Sequence, residues 1–136
     1  MKYGRRQSAM NCSEHTLLAS FRCALEGIVH VARVERNFRL HVLAAVAVVA
    51  VGLWLRLSLQ AWASLTLTIG SVLVAELLNT AAETLVDLVS PEYHPLAKRA
   101  KDMMAGAVLV MAITSVVVGL CVLGPPLWTR LGLAGR

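Results

Sequence analysis

Charge is scarce in this chain. Only 15% of its 136 residues are charged, against 57% hydrophobic, whereas soluble domains carry about a quarter charged residues. That shortage, with the apolar residues clustered in long runs and a mean hydropathy of +0.67, argues against an ordinary soluble domain and for a small integral membrane protein. Cysteine is sparse as well. Cys12, Cys23 and Cys121 are odd in number and scattered, with no Cys-x-x-Cys or Cys/His spacing, so neither a disulfide framework nor a zinc site is expected. His30, His41 and His94 likewise show no metal-ligand spacing and read as surface or interfacial groups. The first apolar run begins near residue 40, so a cleaved signal peptide is not expected. No Gly-x-x-x-x-Gly-Lys-Ser/Thr loop and no protein-kinase signature occurs, which sets aside the common soluble nucleotide-binding enzymes.

The net charge of +5 does not point to nucleic acid. Seven of the 13 Lys and Arg precede the first apolar run, one (Arg56) follows it, three lie in 98–101 and two in the C-terminal tail. Basic residues so placed set membrane topology. They put the N-terminus and the 89–102 segment in the cytoplasm, with three crossings of the membrane.

The apolar pattern divides the chain. Residues 1–14 are basic, polar and aperiodic, and read as a flexible N-terminus. Over 15–34, Leu17, Leu18, Phe21, Leu25, Ile28 and Val29 share one helical face and Arg22, Glu26, His30 and Arg33 the other, the pattern of an amphipathic helix lying in the membrane interface. Spans are expected at about 38–56, 62–88 and 102–123, in a single membrane domain covering 15–124. The uncharged run 40–55 is slightly short for an upright crossing. Ser58 to Ala61 reads as a tight turn, Pro91 stops the second span, and Gly124-Pro125-Pro126 stops the third, leaving 125–136 as a flexible tail. The expected fold is all-α: a surface helix followed by three transmembrane helices.

The second span carries the chemistry. It ends in Glu76-Leu-Leu-Asn79-Thr-Ala-Ala-Glu83-Thr-Leu-Val-Asp87. On a helix, Glu83 and Asp87 project within roughly 20° of Glu76, and Asn79 about 60° to one side. Carboxylates in hydrocarbon cost about 2.5–3.5 kcal/mol each on insertion scales, so something cationic must make the stripe tolerable. Hard carboxylate oxygens suit Mg²⁺, which takes one or two carboxylates and completes its shell with water and phosphate. Lys101 is a point charge suited to phosphate, and Glu76, set deepest, is placed to act as a base toward a hydroxyl at headgroup level. Phosphoryl transfer needs little beyond positioning and charge neutralisation. The same stripe would also serve a proton or cation path, or a polar interface between copies.

Glu76-Leu77-Leu78-Asn79-Thr80-Ala81-Ala82-Glu83, Asp87 and Lys101-Asp102 together resemble the prokaryotic diacylglycerol kinase family, over roughly residues 20–119. Ala82 stands where a larger aliphatic is common, a departure that leaves the acidic face intact. The resemblance implies a homotrimer that phosphorylates a membrane lipid alcohol with MgATP at sites shared between subunits. It implies Glu76 as catalytic base, Glu35 and Glu83 as ligands of Mg²⁺–ATP, and Lys101 and Asp102 as ATP contacts. Glu92, Tyr93 and His94 would line the nucleotide pocket, with Asn79 and Asp87 supporting the site. Glu35-Arg36-Asn37, His41, Trp62 and Pro91-Glu92-Tyr93-His94-Pro95 resemble the undecaprenol kinase branch. Diacylglycerol is the alternative acceptor.

Overall fold

The computed structural model describes residues 16–132, and every element in that stretch is a helix. Thr16 starts the first by accepting the Ala19 N–H on its hydroxyl at 3.4 Å, the N-cap role that Thr fills well. Helix α1 runs Leu17–Val34 and α2 runs Arg36–Leu55, so a single residue, Glu35, separates them. Its extended backbone (φ −96°, ψ 118°) ends one helix and begins the next. Val31 and Phe38, on either side of this elbow, are both buried. Beginning at Arg36 rather than at the first uncharged residue gives α2 20 residues. At 1.5 Å per residue that is about 30 Å, enough to cross hydrocarbon.

Arg56 closes α2 in the left-handed conformation (φ 54°), its N–H returning to Gly52 and Leu53. The turn is Arg56-Leu57-Ser58 rather than Ser58 to Ala61, because Ser58 caps α3, accepting the Ala61 N–H at 3.3 Å. Helix α3 spans Leu59–Val89 and α4 spans Pro95–Arg130. These two make the most extensive helix pairing. With 31 and 36 residues, both exceed the roughly 30 Å hydrocarbon core at about 1.5 Å per residue.

Two expectations are corrected here. Much of the polar segment after Pro91 is helix: α4 starts at Pro95, whose fixed φ suits a first helical turn, and the His94 ring Nδ1 accepts the Leu96 N–H at 3.2 Å. Lys98, Lys101 and Asp102 therefore sit on an ordered helix. At the other end α4 passes through Pro125 and Pro126 and continues to Arg130. The prolines remove two N–H donors, but backbone hydrogen bonding inside the chain is worth most where water is absent. The Thr129 hydroxyl sits 2.9 Å from the Pro126 carbonyl and 3.3 Å from that of Pro125. Arg130 then stacks over Trp54, 5.5 Å from the ring centroid, a cation–π contact that ties the C-terminal ends of α2 and α4 together. The expected flexible N-terminus, and the tail beyond 132, lie outside the described residues. Cys23 is disulfide-bonded, which the cysteine spacing gave no reason to expect, while Cys121 is free and exposed.

Little of the described chain is buried. The apolar side chains withdrawn from the surface are Val31, Phe38, Leu65 and Val72. Leu43, Val46, Leu67, Leu109, Val116 and Leu120 all face outward. So large an apolar surface must be covered by lipid or by other protein, and α2, α3 and α4 are each long and apolar enough to cross a membrane.

Among the described glycines, Gly52 alone is closely packed. A Cβ built there would lie 3.0 Å from Trp62 Cη2 and 3.2 Å from Leu57 Cδ1. Gly52→Val should therefore force the α2–α3 turn apart and cost about 1–3 kcal/mol, the usual range for overpacking. A lower thermal midpoint in detergent is the expected result, and an unchanged midpoint would show that the contact is soft.

Candidate active site

The buried face of α3 is a seam of Leu65, Val72, Glu76 and Thr80. Spacings of seven and four residues keep these on one side of a helix. The seam is apolar at one end and polar at the other. Glu76 is 3% exposed, which makes it a charged side chain held inside the helix packing. Its Oε1 is 3.2 Å from the His41 Nε2 on α2. The ring does not aim an N–H squarely at that oxygen, so Oε1 lacks an aligned hydrogen-bond donor. Attraction between imidazole and carboxylate is the relevant contact. Thr80, one turn on, donates its hydroxyl to the Glu76 carbonyl at 3.1 Å, which satisfies the threonine locally without using the carboxylate.

Two more acids face Glu76. The charges of Glu35 and Glu83 both repel its carboxylate, while His41 attracts it. Glu35 sits at the elbow, half-buried, and its side chain is not spent on capping α2. Glu83 is fixed by Asn79, whose Nδ2 donates to Glu83 Oε1 at 2.9 Å. The other amide atom, Asn79 Oδ1, is buried without a donor.

Among the described residues, no three His, Cys, Asp or Glu side chains surround a point that a metal ion could occupy. A closed metal cage is thus not built. The donor set does fit Mg²⁺ arriving with a nucleotide, since that ion takes one or two carboxylates and draws its other oxygens from phosphate and water. Glu35 and Glu83 are the carboxylates available, and the unpaired Asn79 Oδ1 is a further hard oxygen beside them.

Asp87 does not join this cluster. It forms a close ion pair with Lys101 on α4, and Lys98 pairs with Asp102 one turn along the same helix at 2.6 Å. With the 90–94 connection these residues enclose a second concavity of about 360 Å³, lined by Asp87, Glu92, Tyr93, His94, Lys98 and Lys101. Tyr93 is 81% exposed, its ring uncovered. Ser90 Oγ donates to the Glu92 carbonyl at 3.1 Å and shapes the turn.

The residues singled out in the sequence therefore fall into two groups. Glu35, Glu76, Asn79 and Glu83 gather around the buried middle of α3. Asp87, Glu92, Tyr93, His94 and Lys101 line the outer concavity, with Asp102 beside it through Lys98. Among the described residues no side-chain hydrogen bond or ion pair links the groups, although Glu83 and Asp87 lie one turn apart on α3. Two residues set aside as surface groups or topology signals belong here: His41 beside Glu76, and Lys98 in the concavity. No sequence signal marks His41, since a lone histidine has no spacing signature and its partner comes from the packing of α2 against α3.

With this geometry in view, comparison with known proteins is informative. The family described as prokaryotic diacylglycerol kinase matches residues 22–123. A Synechocystis sp. protein named diacylglycerol kinase is 51% identical over 112 residues, 82% of this chain and 64% of the relative. A Bacillus subtilis protein named undecaprenol kinase is 48% identical over 108 residues, 79% of this chain and 88% of the relative. The Escherichia coli K12 diacylglycerol kinase is 36% identical over 98 residues, 72% and 77% of the two chains. The chain thus spans somewhat under two thirds of the Synechocystis relative. The family match over residues 22–123 includes both groups of site residues, and the chain belongs to the prokaryotic diacylglycerol kinase family.

Proposed function

We propose that this protein is an integral-membrane lipid kinase that transfers the γ-phosphate of ATP to the hydroxyl of a membrane lipid alcohol. The observation that carries the reading is the buried Glu76 carboxylate midway along α3, with a lysine-bearing concavity about three turns further along the helix. Undecaprenol is the preferred acceptor, on the branch features of the sequence and the Bacillus relative. Diacylglycerol is the second reading, favoured by the name of the Synechocystis relative.

In this reading Glu76 takes the proton of the acceptor hydroxyl as its oxygen attacks the γ-phosphorus, and the bond to the β-phosphate oxygen breaks to release ADP. General bases contribute typically 10²–10⁴-fold. Lys101 and Asp102 contact ATP, and Glu92, Tyr93 and His94 line its pocket. Asn79 orients Glu83, and Asp87 orients Lys101. Glu35 and Glu83 would hold the Mg²⁺ that accompanies ATP. Bound there, the ion would neutralise charge on the β- and γ-phosphates.

The wider setting follows from the same reading. Helix α1, with Leu17, Phe21 and Leu25 outward, lies in the membrane interface. The N-terminus and the 90–94 connection face the cytoplasm, and three copies share sites between subunits in the inner membrane. The exposed apolar faces of α2 and α4 are the surfaces available for such an assembly.

Purified protein in detergent, given radiolabelled ATP, Mg²⁺ and either lipid, tests the proposal. Label is expected in undecaprenol phosphate, with phosphatidic acid the outcome for the second reading. Label in neither lipid would sink both. Chelation of Mg²⁺ should abolish transfer. Glu76→Gln should lower kcat by about 10²–10⁴-fold, the worth of a general base, with MgATP binding still detectable. Glu83→Gln should instead raise KM for MgATP by about 10-fold or more, as loss of a metal-ligand shell residue does. A reversal of these two phenotypes would exchange the assigned roles. An ion-conducting protein using the same stripe would show flux in liposomes without ATP, and none is expected.

A further inference from the structure

One contact of Glu76 has no place in the scheme above. His41 projects from α2, and its Nε2 lies 3.2 Å from Glu76 Oε1. It is the one basic side chain among those described that lies within ion-pair distance of the buried carboxylate. The other ionisable groups facing Glu76 are Glu35 from the elbow and Glu83 from α3, and both repel it. Without His41 the carboxylate would face two like charges and no partner.

The imidazole has a second neighbour. It closes one end of an apolar pocket between α2 and α3, lined by Ala44, Ala45, Val48, Leu65 and Val72. From α4 that pocket receives Ser115 and Gly119, neither of them charged. His41 thus stands between the carboxylate and an apolar pocket among the three long helices. A base that must accept a proton from an alcohol uses one carboxylate oxygen, and orientation of that oxygen is worth rate. Groups that hold a catalytic side chain by its other atom are worth about 10–100-fold at comparable sites.

We propose that His41 is a positioning residue for Glu76: its ring nitrogen holds Oε1 and leaves Oε2 turned toward the acceptor hydroxyl. The proposal rests on the reading of Glu76 as the base. It concerns the histidine alone, and neither the identity of the lipid nor the nucleotide pocket enters it.

Gln and Met have nearly the same length and volume, but only Gln carries a nitrogen that can take the place of Nε2. The test is therefore a comparison of His41→Gln with His41→Met in the lipid kinase assay, with wild type and Glu76→Gln alongside. His41→Met should lose about 10–100-fold in kcat, with KM for MgATP unchanged. His41→Gln should stay within about 5-fold of wild type, the margin left by an amide that holds the oxygen without a ring. If His41 served only to fill space at the pocket mouth, the apolar Met would be tolerated and the polar Gln would be the worse substitution. That order, or equal loss in both, overturns the proposal. Should His41→Met fail to accumulate in the membrane, His41→Phe supplies the apolar comparison on the same criterion. An inactive wild type would instead count against the lipid kinase reading, so the two failures are distinguishable.

Discussion

A carboxylate buried between membrane helices is the constraint on which this structure turns. Placing Glu76 in hydrocarbon costs a few kcal/mol on insertion scales, and the packing of α3 does nothing to relieve it. The seam that buries Glu76 is the same one that buries Leu65 and Val72 further along. The helix therefore cannot rotate to expose the acid without also exposing its apolar contacts. The carboxylate is held in place by hydrophobic packing, and its electrostatics must be met by whatever approaches from α2 or from outside the chain.

Helix α2 answers through the elbow at Glu35. Val31 is buried four residues before it and Phe38 three residues after it, so both arms are pinned by packing. A residue between two pinned helices has little freedom of its own. Its backbone is extended and its side chain is not spent on capping, which leaves the carboxylate available at the membrane boundary. Six residues later His41 reaches Glu76. The elbow thus sets the position of an acid and of the imidazole together, and a shift in one would carry the other with it.

Much of this was legible in the sequence, and the misses have physical causes. The helices and their order followed from long uncharged runs and charged flanks. The acidic stripe followed from period alone, since residues seven apart on a helix nearly coincide in angle. Period could not show that the stripe would divide, with Glu76 meeting His41 of α2, Glu83 held by Asn79 and Asp87 turning to Lys101, because that depends on how α2 and α4 cross α3. His41 was invisible because a lone histidine has no spacing signature; only the α2–α3 packing gives it a partner. Gly124-Pro125-Pro126 misled for another reason. The stop signal is calibrated in water, where a broken backbone hydrogen bond finds a solvent partner. In this chain Thr129 and the Arg130–Trp54 contact hold the last turns of α4.

The two groups of residues differ in how firmly they are held, and the difference suits their proposed tasks. Around Glu76 the side chains are buried or half-buried, and moving one means repacking helices. At the outer concavity the charges are exposed or half-exposed and already paired, Lys101 with Asp87 and Lys98 with Asp102. Exposed pairs of this kind are worth about 0–1 kcal/mol, so a triphosphate, with more charge to offer, can displace a carboxylate from a lysine at small cost. Until then the pairs keep four charges from standing alone at the membrane border. In the proposed reading, a rigid acid at one end and exchangeable cations at the other would let the phosphate donor come and go while the acceptor's base stays in register. A cation path has no comparable use for lysines at its mouth, because they would repel the ions it carries.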